Sequence, residues 1–196
     1  MRIIAGEAKG RRLFAPPGEN TRPTSDKLRG SLFNILGAAV QESRVLDLFG
    51  GTGALALEAI SRGAAFAAIV DLDRAAIKAI TRNAAAVSGK EDASRVKILQ
   101  ADYRAAIASL AGQRFDLVFL DPPYRMTGAY ADALTRLRAA NCLAKNVLLL
   151  LERARNAEVL LPEGFEHHDT RQYGETAVDF VRERTDAHEG DVCGQF

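Results

Sequence analysis

Asp121-Pro122-Pro123-Tyr124 sets a carboxylate, two ring-locked residues and a flat aromatic side chain in four consecutive positions. That set suits methyl transfer to the exocyclic amino group of a nucleic-acid base. The lone pair of such an amine is delocalised into the ring. It becomes available when both N–H bonds point at acceptors and the nitrogen turns pyramidal. Asp121 offers one acceptor and the Pro122 carbonyl the other, held in place because proline fixes φ. Pro123 continues the rigid turn, and Tyr124 offers a face for stacking, worth about 1–3 kcal/mol per base. In-line transfer from a cationic donor then needs positioning more than strong acid or base. Alone, Asp-Pro-Pro reads as an ordinary strand-ending turn, so its place in the chain decides.

A second constellation lies upstream, in Asp47-Leu48-Phe49-Gly50-Gly51-Thr52-Gly53. Glycines here permit positive φ and a close approach of backbone to ligand. Asp71, with Leu72 after it, ends the next apolar run, and Asp102 follows the one after that. A cofactor pocket is expected from Asp47, Gly50, Gly51, Gly53, Asp71, Leu72 and Asp102. Asp71 would accept from ribose hydroxyls, Asp102 from an adenine amino group, and Asp47 would face an ammonium. Gly51-Thr52-Gly53-Ala54-Leu55-Ala56 also fits a dinucleotide pattern. A negative charge at Asp47 opposes a pyrophosphate, and the Asp-Pro-Pro-Tyr segment favours S-adenosylmethionine over a nicotinamide.

These residues need strands that end where they stand. Apolar runs at 44–49, 66–70, 96–99, 115–120 and 147–151 alternate with helical patterns at 53–62, 74–87, 103–111 and 128–140. The alternation predicts an α/β fold, a doubly wound and mostly parallel Rossmann-like sheet. A terminal pair, 165–168 and 177–182, joined through Tyr173-Gly174-Glu175, predicts one antiparallel strand near the end. Ahead of the sheet, residues 2–14 read as a β-hairpin around Ala8-Lys9-Gly10. Residues 25–41 read as an amphipathic helix, its start marked by Pro23-Thr24-Ser25-Asp26. The expected division is a single domain over 1–184, with a 1–42 extension, a 43–184 core and a disordered acidic tail at 185–196.

Composition bounds the remaining classes. The 196 residues are 47% hydrophobic and 26% charged, as in ordinary globular chains. No apolar run approaches the ~18 residues that suggest a membrane helix. The start lacks a signal peptide's apolar stretch, so a cytoplasmic protein is expected. Cys142 and Cys193 lack the spacing of a metal or redox pair, and His167 and His168 read as surface residues, so no metal is expected. Residues 1–30 carry Arg2, Lys9, Arg11, Arg12, Arg22, Lys27 and Arg29 against Glu7, Glu19 and Asp26. That excess fits a polyanion and a solvated arm about equally. Glu58 reads equally as a cofactor-loop contact or an exposed helix position.

The chain resembles the bacterial 16S ribosomal RNA guanine-N2 methyltransferase family, within the class I S-adenosylmethionine-dependent methyltransferases, over roughly residues 1–184. The marks are Arg2-Ile3-Ile4-Ala5-Gly6, Lys9-Gly10-Arg11-Arg12-Leu13, Thr21 to Arg29, Leu32-Phe33-Asn34-Ile35-Leu36, the glycine loop, Asn83, the Asp-Pro-Pro-Tyr segment and Tyr173-Gly174-Glu175-Thr176. The resemblance implies methylation of N2 of one guanine in 16S rRNA, within an assembled or partly assembled small subunit. It implies that Arg22 and Thr24 lie beside the methionine end of the cofactor. It also implies that Arg2, Lys9, Arg11 and Arg12 meet RNA phosphates. The sequence departs from the family pattern at Gly50 and Thr52, where alanine and serine are usual, and at Gly30, where glutamate is common. The tetrad alone also serves DNA adenine-N6 and cytosine-N4 methyltransferases. A non-catalytic RNA-binding assembly factor on the same fold is the reading from another class.

Overall fold

The structure, a computed structural model, describes residues 1–15, 26–88, 93–123, 126 and 128–184. Its seven strands are β1 (Arg44–Asp47), β2 (Phe66–Asp71), β3 (Val96–Gln100), β4 (Phe115–Leu120), β5 (Leu143–Ala154), β6 (Phe165–Tyr173) and β7 (Thr176–Glu183). The helices are α1 (Asp26–Leu36), α2 (Ala54–Ser61), α3 (Arg74–Ser88), α4 (Tyr103–Ser109) and α5 (Ala129–Ala139). They make one sheet in the order β3-β2-β1-β4-β5-β7-β6. Pairing is parallel from β3 through β5, while β7 runs antiparallel to both β5 and β6. This is the predicted sheet, with the reversed strand second from the edge. The strand order turns between β1 and β4, and ligands of such sheets bind at that switch point.

Each face is covered, so the parallel strands are apolar on both sides. One cluster packs α1, α2, α3 and the N-terminal segment on a face that includes Val45, Ile69, Phe119 and Leu150. The opposite cluster packs α4 and α5 over Leu46, Val70, Val118 and Leu149. The predicted 25–41 helix begins in the structure at Asp26 and tightens into a 3-10 turn over Gly37–Val40. β5 extends beyond the 147–151 run at both ends, because pairing with β4 and β7 supplies the backbone partners that its polar ends lack locally.

The predicted hairpin is a minimal one, a single antiparallel bridge between Arg2 and Arg12. It lies along α2. Its Ile4 and Ala5 amides donate to the Glu58 carboxylate at 2.8 and 3.0 Å, and the Ala8 amide donates to Ser61 Oγ at 3.0 Å. Gly6, at φ +84°, comes so close to the Ser61 carbonyl that a side chain there would overlap it. Glu58 is therefore neither an exposed helix position nor a cofactor-loop contact. It is fully buried and satisfies the hairpin backbone. Its carboxylate also meets Arg62 at 2.7 Å and the fully buried Arg29 at 3.5 Å. Arg29 in turn bonds Asp26 at 3.0 Å and donates to the Arg2 carbonyl, so orienting Arg29 needs no glutamate at position 30.

Candidate active site

Parallel register decides what meets at the strand tips. Asp47 pairs with Ile69 on β2 and Phe119 on β4, and Phe119 pairs with Leu150 on β5. Side chains alternate faces, so Asp71, Asp121 and Glu152, each two residues further on, share the face of Asp47. Four carboxylates from four adjacent strands thus line one cavity of about 380 Å³. Its wall also includes Gly50, Gly51, Leu72, Asp102, Pro122 and Pro123, so most of the proposed cofactor and catalytic residues meet there. Gly53 is buried behind the wall as the N-cap of α2, at φ 76°. Arg22, Thr24 and Tyr124 lie outside the described residues, as do Arg125, residues 90–92 and the 185–196 tail.

Crowding of like charge in a dry pocket shifts the acids upward. Burial pushes Asp47 up to about 7, with the Asp71 and Glu152 charges adding to it and the Phe49 and Ala56 backbone amides opposing. Burial first, then Glu152 and Asp47, raises Asp121 well above the usual carboxylate range. Asp71 is raised by burial as well, against bonds from backbone amides. Such a cavity favours a cationic ligand group, because a nearby positive charge restores the ionised form.

The backbone around the cavity is locally built. Asp71 Oδ2 accepts the Gly51 amide and Oδ1 the Asp73 amide, both at 2.8 Å. A carboxylate has about four acceptor sites, which leaves capacity toward the cavity. Gly51, at φ +56°, has open space where a side chain would project, and Gly50 has none because Ile69 fills it. Asp102 caps α4 by accepting the Arg104 amide at 2.9 Å. The Pro123 carbonyl accepts the Met126 amide at 2.8 Å, closing the turn after Asp121. The aromatic wall is Phe49 and Tyr103, ring centroids 5.4 Å apart. Tyr103 is held from behind by donating to Asp132 at 2.7 Å. A nucleoside with a cationic amino-acid arm fits this set of acceptors. A pyrophosphate does not, since Asp47 and Asp71 flank the glycine loop.

Sequence reasoning missed Glu152, Tyr103, Phe49, Met126 and Met1 as wall residues. Glu152 carried a signal: it ends the β5 apolar run as Asp121 ends that of β4. Met1 had none, since only hairpin docking brings it to Thr52, whose hydroxyl lies 3.6 Å from its sulfur. Of the N-terminal cations, Arg2, Lys9, Arg11 and Arg12 are all exposed. Among the described residues no cluster of His, Cys, Asp and Glu has the geometry of a metal site, and no helix is long and apolar enough to cross a membrane.

The family described as Conserved hypothetical protein 95 matches residues 1–182. The chain is 32% identical to Ribosomal RNA small subunit methyltransferase D of Escherichia coli K12, over 90% of this chain and 87% of that one. It is 37% identical to YlbH of Bacillus subtilis, named for rRNA methyl transfer, over 83% and 86%. The solved structure of the Escherichia coli protein yhhF, titled a methyltransferase, superposes with a TM-score of 0.81 at 29% identity, covering 93% of this chain and 97% of that one.

Proposed function

The chain belongs to the Conserved hypothetical protein 95 family, and from that membership we propose that it is an S-adenosylmethionine-dependent methyltransferase acting on the exocyclic N2 of a guanine in 16S rRNA of the small ribosomal subunit. The observation that carries the reading is Asp121, on its proline-locked turn, sharing one cavity with Asp47, Asp71 and the glycine loop. Bound S-adenosylmethionine supplies the transferable methyl. Asp71 and Asp102 hold the nucleoside end, and Asp47, with Arg22 and Thr24 of the preceding segment, holds the amino-acid end. Asp121 accepts one amino N–H and the Pro122 carbonyl the other, which aims the lone pair into the cavity. Tyr124 stacks on the base. As the N–C bond forms and the sulfonium S–C bond breaks to leave a neutral thioether, the amino proton would pass to Asp121 Oδ. The hairpin cations Arg2, Lys9, Arg11 and Arg12 position the RNA through its phosphates. We read residues 1–184 as one functional unit working in the cytoplasm.

The deciding experiment incubates the protein with unmodified small ribosomal subunits, and in parallel with unmethylated DNA, in the presence of methyl-labelled S-adenosylmethionine, then digests the nucleic acids to nucleosides. Label in N2-methylguanosine is expected. Label in N6-methyladenosine, or in DNA alone, would replace the guanine assignment, and no transfer in a single turnover with excess enzyme would favour an assembly factor.

Two further outcomes are expected at the cofactor. Asp71→Ala removes acceptors toward the ribose and frees the Gly51 amide, so affinity for S-adenosylmethionine is expected to fall roughly 10–100-fold. Isothermal calorimetry checks this, and equal affinity would reject the placement. The second concerns protons. Asp47, Asp71 and Asp121 are all raised in the free protein. A cationic ligand lowers them, so binding near pH 7 releases protons. Calorimetry in two buffers of different ionisation enthalpy is expected to show that release, fading as pH rises above about 8. Proton uptake would contradict the ammonium site at Asp47. The same signs make the free fold lose stability as pH rises from about 4 through 7, since the folded state holds protons that the unfolded chain gives up.

A further inference from the structure

Resting on the RNA-methylating function just proposed, we propose that the exposed stripe Arg74, Lys78 and Arg82 of α3 is a second phosphate track, continuing the basic hairpin to the cavity mouth. The three side chains recur every fourth residue on the solvent face of a helix that contains no acid, and all three are exposed. Their spacing is about 6 Å per step and about 12 Å in all. Among the described residues none of the three has a carboxylate partner, and Arg82 instead lies 4.5 Å from the centre of the Phe14 ring.

Like charges four apart repel, and a cation in the first turn opposes the helix dipole. The stripe therefore weakens the isolated helix, and a polyanion lying along it would reverse the sign of that effect. Its ends are anchored. Arg74 follows the Asp71-Leu72-Asp73 turn, whose first two residues line the cavity. At the other end the Phe14 amide donates to Asn83 Oδ1 at 2.7 Å, and Asn83 Nδ2 donates to the Phe14 carbonyl at 2.9 Å. That reciprocal pair ties the hairpin to α3 beside Arg82. Hairpin and helix together present Arg2, Lys9, Arg11, Arg12, Arg74, Lys78 and Arg82 against exposed Glu7 and Asp73, on a chain whose net charge is only +1. The other exposed residues of the helix, Ala75, Thr81 and Ala85, are small. A membrane-surface helix needs large apolar anchors there, so charge complementarity favours a nucleic-acid backbone.

The test is the triple variant Arg74→Ala/Lys78→Ala/Arg82→Ala against unmodified, in vitro transcribed 16S rRNA. Phosphate contacts release counterions, so the slope of log K against log salt is expected to shrink by about 2–3. Affinity at low salt is expected to drop at least tenfold. In methyl transfer KM is expected to rise with kcat and S-adenosylmethionine affinity unchanged. A variant with the wild-type salt slope and KM would overturn the track while leaving the proposed function intact. A wild-type chain that neither binds nor methylates the transcript or small subunits would sink both. A loss confined to phosphatidylserine vesicles, with rRNA binding intact, would overturn the track in favour of a membrane surface.

Discussion

Asp121→Ala is expected to lower kcat roughly 10²–10⁴-fold while leaving S-adenosylmethionine affinity within a few-fold of wild type. The range is that of a single positioned proton acceptor or charge-stabilising group. Rate and affinity separate because the two groups stand on different strands. Asp121 stands at the tip of β4, whereas the glycine loop follows β1, Asp71 ends β2 and Asp102 follows β3. Removing Asp121 takes one carboxyl from a group in which Asp47, Asp71 and Glu152 remain. The cavity therefore keeps its preference for a cationic ligand while losing the acceptor for the amino group. Single-turnover transfer to small subunits, measured beside calorimetric binding of the cofactor, checks both halves. A variant that turns over normally at saturation but binds the cofactor poorly would move Asp121 from the reacting amine to the cofactor.

Glu58→Ala is expected to cost about 3–5 kcal/mol of stability, the range for breaking a buried ion pair by removing one partner. For a chain of this size that is a fall in Tm on the order of 6–20 °C. Arg29 is wholly buried and would lose the Glu58 carboxylate, while its bonds to the part-exposed Asp26 and the Arg2 carbonyl remain. The amides of Ile4 and Ala5 would lose their acceptor at the same time. The hairpin is then expected to lift from α2 and become sensitive to proteolysis within residues 1–15, carrying Met1 away from the cavity wall. Replacing both charges, as Glu58→Leu with Arg29→Met, is expected to cost less than Glu58→Ala alone, because the wholly buried guanidinium leaves together with its carboxylate partner. If the double variant melts below the single one, packing rather than charge compensation governs this site.

Much of this protein follows from short-range features of its chain. Strands with apolar residues on both faces, helices of 3.6 periodicity and glycines before α2 are local signals. Each strand tip is marked by the residue at which apolarity stops, so Asp47, Asp71 and Asp121 were legible as cavity residues before any pairing was known. The antiparallel β7 was legible too, because a two-residue turn at Gly174-Glu175 cannot connect parallel strands. Tertiary structure alone decided the long-range partners. Glu58 meets Ile4 across 54 positions and Phe14 meets Asn83 across 69, distances over which no periodicity carries information. A buried glutamate and an exposed one look alike in sequence, since burial depends on whether an arginine and two amides arrive from elsewhere. The closeness of Glu152 to Asp121 likewise rests on the β4–β5 register, which sets Leu120 opposite Leu151. A slip of one residue would have turned Glu152 to the other face of the sheet, with the same amino acids in the same order.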